Sequence, residues 1–199
     1  LKEVMDLFSL TALEICEGQQ MDMEFEQRND VTAEEYLEMI RLKTAVLLAA
    51  SLKIGARLGG ASVEDADRLY DFGMHIGVAF QLKDDLLDVY GNAKVFGKNI
   101  GGDILCNKKT YMLIKALEHA NADQHNQLNS WINAETFQPA EKIAAVTELY
   151  DRIGVKAVCE NKILEYSNRA MESLAAVSIA EEKKEELKKI IENLIHREV

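Results

Sequence analysis

The chain has 199 residues but only one Pro, at position 139, and eleven Gly. A chain so poor in residues that end helices is expected to be mostly helical. Its three cysteines, Cys16, Cys106 and Cys159, are odd in number, far apart and not in CxxC spacing. That suggests neither a disulfide framework nor a cysteine zinc site. They are expected to be small buried hydrophobes in a reducing, cytoplasmic protein. Basic residues are outnumbered, 23 Lys and Arg against 34 Asp and Glu, for a net charge of -11. This balance argues against a nucleic-acid-binding module, which carries a basic stripe. It leaves room for an anionic small molecule, because local lysines or bound Mg²⁺ can reverse the field at one site. No apolar run approaches the ~20 residues that a transmembrane helix needs, and no signal-peptide pattern is visible.

Hydrophobic residues make up 48% of the chain, enough for a substantial core. Their period is helical throughout. The spacing predicts a first helix over 2–25 and a polar break at Gln27–Asp30. Thr32 and Glu35 form a capping box that opens a helix running to Gly55 or beyond, ended by Gly59-Gly60. Ser62 and Asp65 start the next helix, which runs to about Tyr90. Its middle, from Phe72 to Leu82, is apolar nearly all round, the mark of a helix inside a bundle. Gly73 and Gly77 would let a neighbour approach closely. An irregular stretch over 91–107, rich in Gly and Lys, is long enough to suggest function. Helices are then predicted near 105–120, 123–132, 139–152 and 155–174, the third opening on Pro139 at its first position. Ser178 to Glu181 would cap a last helix with the charge run 181–189 on its exposed face. With no repeat or linker, residues 1–199 are expected to form one helical domain. The helical pattern begins at Leu1 with no cap before it, so the chain is expected to be cut from a longer protein.

The chemistry concentrates around Asp84-Asp85-Leu86-Leu87-Asp88, at the exit of the apolar helix. Asp84 and Asp88 are four residues apart and share a face, with Gln81 three residues before Asp84. Crowded carboxylates repel one another unless a cation sits among them. Hard oxygen ligands suit Mg²⁺, which keeps several waters and bridges to phosphate. Acidic groups at a helix C-terminus also oppose its dipole. Within the next stretch come Gly97-Lys98, Gly101-Gly102-Asp103 and Asn107-Lys108, flexible glycines with cations able to close over a phosphate. Upstream lie the polar cluster Gly18-Gln19-Gln20-Met21-Asp22 and the basic patch Arg41-Leu42-Lys43-Thr44.

Taken in order, GQxxD, KT, FQxxDDxxD, GKxxGxD and NK, the chain resembles the trans-polyprenyl diphosphate synthases, such as farnesyl and geranylgeranyl diphosphate synthase. The motif-level resemblance runs from the start to about residue 120. It implies an all-α antiparallel helical bundle of the class I isoprenoid synthase type. It also implies a prenyltransferase that condenses isopentenyl diphosphate with an allylic diphosphate into a C15–C20 trans-prenyl diphosphate. By motif, Asp84, Asp88 and Asp85 would serve Mg²⁺, directly or from the second layer. Lys43 and Lys98 would grip the allylic diphosphate. Thr44 and Gln81 would present oxygens near the developing carbocation. Lys108 and Asp103 would order the closing loop, while Gln19 and Asp22 would orient Lys43 and the substrate. The family uses three Mg²⁺, and this chain would supply ligands for one. A homodimer is implied as well.

Two departures from the family pattern stand out. No second DDxxD exists among the 199 residues, so the N-terminal helices that carry the first aspartate-rich motif are expected to be missing, and the chain alone to be inactive. Gly102 stands where the family often has Thr, which would loosen the loop. Three other readings stay open. A non-catalytic regulatory subunit of a prenyltransferase would be told apart by an absent first motif in the full-length protein. A terpene cyclase would carry an NSE/DTE-like second metal motif. A helical interaction protein would show no order between Asp84 and Lys98 with Mg²⁺ and diphosphate.

Overall fold

The computed structural model describes residues 2–91 and 100–195. Among them every regular element is helical and there is no strand. The first helix, α1, spans Lys2–Phe25. The chain then turns into α2, Ala33–Ile40, through the expected capping box. The Thr32 side chain accepts from Glu35 N, and the Glu35 carboxylate accepts from Thr32 N. The predicted long helix is not regular. Arg41–Ala45 is a π-helical turn, and α3 resumes at Val46–Leu58. A π turn inserts an extra residue into a helix and often marks a functional site.

The central helix, α4, spans Val63–Tyr90 and starts at Ser62, whose side chain accepts from Asp65 N. Phe72, Ile76, Val78, Ala79, Leu82, Leu86 and Leu87 are buried around its girth. Gly73 and Gly77 are the reason that α3 and the π turn can lie against it. A Cβ on Gly73 would fall 2.7 Å from Ala49 Cα, and one on Gly77 would fall 2.6 Å from Ala45 Cα. Any side chain at either position would force the helices apart.

After α4 comes a short helix that sequence reading left as loop, α5, Gly102–Leu105. The helix expected over 105–120 begins later, as α6, Tyr111–His119, because Thr110 caps it through Leu113 N. Next come α7, Ala122–Ile132, capped by Asn121, and α8, Pro139–Ile153, with Pro139 at its start. Gly154, at φ +85°, reverses the chain into α9, Val155–Ala175, which packs along α4. A 3-10 turn at Glu181–Lys183 precedes the last helix, α10, Glu185–Ile195.

Two expectations at this end are corrected. Ser178 does not cap the last helix. Its backbone N–H donates to Asp65 Oδ1 at 2.8 Å and its hydroxyl accepts from Arg68, tying the segment to the start of α4. Lys184, placed on an exposed charged face, is buried instead. Its ammonium satisfies Ala175 O at 3.0 Å and Glu181 at 2.8 Å at the open end of α9. The cysteines are also corrected: Cys159 is buried, whereas Cys16 and Cys106 are exposed. No described helix is long and apolar enough to cross a membrane.

Candidate functional site

The upstream motifs meet at the π turn. Gly18 of α1 lies so close to it that a Cβ there would sit 2.4 Å from Lys43 N. This close crossing brings Asp22, one turn later on α1, onto Lys43, and the ammonium donates to Asp22 Oδ2 at 2.6 Å. Both side chains remain partly accessible. Gln19 is exposed, and it is Asp22 that holds Lys43. Beside Lys43, the Thr44 hydroxyl donates to Gln81 Oε1 at 3.3 Å. Gln81 Nε2 in turn donates to Asp85 Oδ1 at 3.1 Å, and the Tyr36 hydroxyl donates to Asp85 Oδ2. A carboxylate can only accept, so Asp85 turns the amide nitrogen of Gln81 toward itself and leaves its oxygen facing Thr44.

The three aspartates of α4 therefore differ. Asp85 is 3% exposed with both oxygens engaged inside the bundle. Burial pushes its carboxyl up to about 7, against the hydrogen bonds from Tyr36 and Gln81. Asp84 and Asp88 are half-buried, one turn apart. Asp88 anchors the returning loop: its Oδ2 accepts from Asp103 N at 2.9 Å and its backbone O from Gly101 N at 2.6 Å. Gly101, at φ +83° and with Ile143 2.6 Å from where a Cβ would lie, admits no other residue without strain. At Gly102 a Cβ would rest 3.4 Å from Asp88 Oδ1, an ordinary contact, so this glycine is not required by space.

The loop returns Lys108 to the acidic cluster, 3.9 Å from Asp103 Oδ1. Burial alone would lower the Lys108 ammonium, but Asp103, Asp85, Asp22 and Asp88 hold it above the ordinary lysine range. Burial pushes the Asp103 carboxyl up and Lys108 pulls it back, while Asp88, Asp84 and Asp22 push it further. Among the described residues, carboxylates thus outnumber ammonium groups in this cluster. Lys98, the other expected diphosphate contact, and Gly97 lie outside the described residues. A cleft of about 630 Å³ opens between the end of α1 and this loop, lined by Asp22, Phe25, Asp103, Lys108 and Lys109 among others.

These donors fit Mg²⁺ in one specific sense. Among the described residues no group of three or more His, Cys, Asp or Glu is arranged to hold a metal by itself. Asp84 and Asp88 offer hard oxygens on one helix face, and the surplus negative charge felt at Asp103 is what a divalent cation relieves. A cation held there would complete its shell with water and substrate oxygens. Asp85, with both oxygens committed to Tyr36 and Gln81, is suited to orienting Gln81.

Two residues of the site were missed from sequence. Tyr36, on α2, reads as an ordinary core aromatic, and nothing local marks its partner 49 positions away. Lys142, on α8, sits on an amphipathic helix and reads as surface, yet it is buried, with its ammonium 2.7 Å from Asn107 Oδ1.

Comparison with known proteins agrees with this geometry. Residues 1–150 match the model of the polyprenyl synthetase family. A short chain isoprenyl diphosphate synthase of Methanothermobacter thermautotrophicus is 38% identical over 197 residues, covering 99% of this chain and 59% of that protein. A geranylgeranyl diphosphate synthase of Methanosarcina mazei is 52% identical over 114 residues, 57% of this chain and 35% of that one. Among solved structures, a geranylgeranyl pyrophosphate synthase superposes with a TM-score of 0.93 at 38% identity, over 100% of this chain and 62% of the other. A geranylgeranyl pyrophosphate synthase from Corynebacterium glutamicum, solved with isoprenyl diphosphate and magnesium, gives 0.90 at 29% identity, over 99% and 56%. The chain therefore spans about three fifths of the length of these full-span relatives. An all-α bundle, its polar groups gathered where α1, the π turn and α4 converge, and this similarity along its length lead to one assignment: the chain belongs to the polyprenyl synthetase family.

Proposed function

We propose that this chain forms the diphosphate-binding part of a Mg²⁺-dependent prenyltransferase, which joins isopentenyl diphosphate to an allylic diphosphate to give a short trans-prenyl diphosphate of C15–C20 length. The observation that carries this reading is that Asp22 lies between two cations: it accepts from Lys43 at 2.6 Å, and its charge acts on Lys108 and Asp103 across the cleft. Ammonium groups so placed oppose the charge that a departing diphosphate gains as its C–O bond breaks and takes both electrons. Mg²⁺, when bound with the substrate, would supply further neutralisation of that charge. Asp84 and Asp88 would hold it, and Asp22 would keep Lys43 aimed. Thr44 and Gln81 present oxygens beside Lys43, where they would favour an electron-deficient carbon. The double bond of isopentenyl diphosphate then forms the new C–C bond, and loss of a proton restores a double bond in the product.

Homodimerisation is part of the same proposal. Met5, Phe8, Leu10 and Leu13 of α1 are 52–58% exposed, apolar side chains around more than half of the helix of the kind a further chain or segment covers. The chain alone is expected to bind Mg²⁺ and pyrophosphate without turning over. The test is a condensation assay of the full-length protein with isopentenyl diphosphate and C5, C10 or C15 allylic diphosphate. Activity that vanishes on chelation and in Asp84→Ala supports the reading, and a fully active Asp84→Ala overturns it.

A further inference from the structure

Lys142 is a buried cation that the proposed chemistry does not use. It is 1% exposed and forms no ion pair among the described residues. Burying an ammonium without a carboxylate is costly and survives only where its hydrogen bonds matter. Its nearest partners among the described residues are all neutral. Asn107 Oδ1 accepts at 2.7 Å, Leu105 O lies at 3.5 Å, and the Phe137 ring centre at 4.3 Å. Burial lowers its pKa accordingly.

Asn107 is itself unusual. It is the one non-glycine among the described residues with positive φ, at +50°. Asn tolerates this region better than most residues, but the conformation still has to be held by its surroundings. Both ends of its side chain are pinned: Oδ1 by Lys142 of α8, and Nδ2 by donation to Ile132 O of α7 at 2.9 Å. The left-handed residue is what reverses the chain after α5. Directly beyond it, Lys108 N donates to Asp103 O at 3.0 Å and Thr110 N to Lys108 O at 2.8 Å. Those bonds set where the Lys108 side chain leaves the backbone.

We infer that Lys142 is a positioning residue, which locks the left-handed turn at Asn107 and thereby aims Lys108 at the diphosphate. It acts through Asn107 and touches no substrate. This rests on the proposed function for the identity of the ligand, but the turn itself can be read without one.

The test titrates Mg²⁺ and inorganic pyrophosphate into the full chain by calorimetry and records backbone ¹H–¹⁵N resonances of Asn107 and Lys108 in the same samples. Lys142→Met is expected to weaken pyrophosphate binding about tenfold, the loss of one well-placed charged contact, and to displace both resonances. The double variant Lys142→Met with Asn107→Gly is expected to recover most of the affinity, because glycine takes positive φ without being held. A structural role alone predicts no such recovery. Unchanged resonances and affinity in Lys142→Met, or a loss that Asn107→Gly leaves in place, overturn the inference. If the unsubstituted chain binds no pyrophosphate, the proposed function fails instead, and the resonances still decide whether Lys142 governs the turn.

Discussion

The two sides of the site are built differently. On one side, α1, the π turn, α3 and α4 meet at glycines with backbones nearly touching, and a hydrogen-bonded chain runs from the buried Tyr36 and Asp85 out to the half-buried Gln81 and Thr44. On the other, the segment over 101–110 packs through Gly101 and Ile104 against α8, but it carries Lys108 on a short turn between helices. It is held by two hydrogen bonds onto Asp88, by a left-handed glycine and by the Lys142–Asn107 pair. The first side fixes oxygens to within the tolerance of a packed core. The second supplies a cation, Lys108, from a turn between helices that is fixed by hydrogen bonds rather than by touching backbones. Damage to the packed side should therefore lower stability and binding together, whereas damage to the loop should lower binding with little cost in stability.

The largest expected effect removes one carboxylate charge from the packed side while keeping the side chain's size. Asp84→Asn should weaken Mg²⁺-dependent pyrophosphate binding about a hundredfold, equivalent to losing one charged partner of a partly buried site. Calorimetry checks this directly. Gly77→Ala sharpens the comparison from the packing side. Its Cβ cannot avoid Ala45, so a destabilisation of about 1–3 kcal/mol is expected by denaturant unfolding, with pyrophosphate binding weakened as Thr44 and Gln81 part. Gly101→Ala is the matching lesion on the loop. It should cost roughly tenfold in pyrophosphate affinity through strain at positive φ and displacement of Ile143, with a smaller shift in the unfolding midpoint than Gly77→Ala. Equal losses of stability in the two glycine variants would erase the distinction between the sides.

A smaller effect belongs to His75, on α4 where α9 packs against it. Burial lowers the pKa of His75 below the ordinary 6.5. The unfolded chain then binds a proton more readily than the folded one, so stability present above pH 6.5 declines as pH falls below it. Melting curves between pH 7.5 and about 5 should show a shallower decline in His75→Phe than in the unsubstituted protein.

Much of the packed side was legible in the sequence. The Thr32–Glu35 box, the Ser62 cap, the apolar girth of α4 and the paired Gly73 and Gly77 all follow from local spacing, and spacing is what helices obey. The site motifs Gln81, Asp84 and Asp88 fall on α4 as its spacing implies, and Lys43-Thr44 falls on the π turn. The π turn at 41–45 was not legible, because one extra residue within a helix leaves no compositional mark. The roles of Tyr36 and Lys142 were hidden because their partners are 49 and 35 positions away. Asp85 could not be separated from Asp84 and Asp88 by pattern, since only the neighbouring helix shows which carboxylate turns inward. Lys184 read as solvated for the same reason: a long side chain on a charged face says nothing about the helix end it covers.

The central claim is that the two sides share one ligand, and a double-mutant cycle between them measures this directly. Pyrophosphate affinity in saturating Mg²⁺ is determined for the unsubstituted chain, Asp84→Asn, Lys108→Met and the double variant. Groups that meet on one Mg²⁺–diphosphate complex should show a coupling of about 1 kcal/mol or more, the double loss departing from the sum of the single losses. Strictly additive losses would mean that Asp84 and Lys108 act on separate ligands, and would contradict the account.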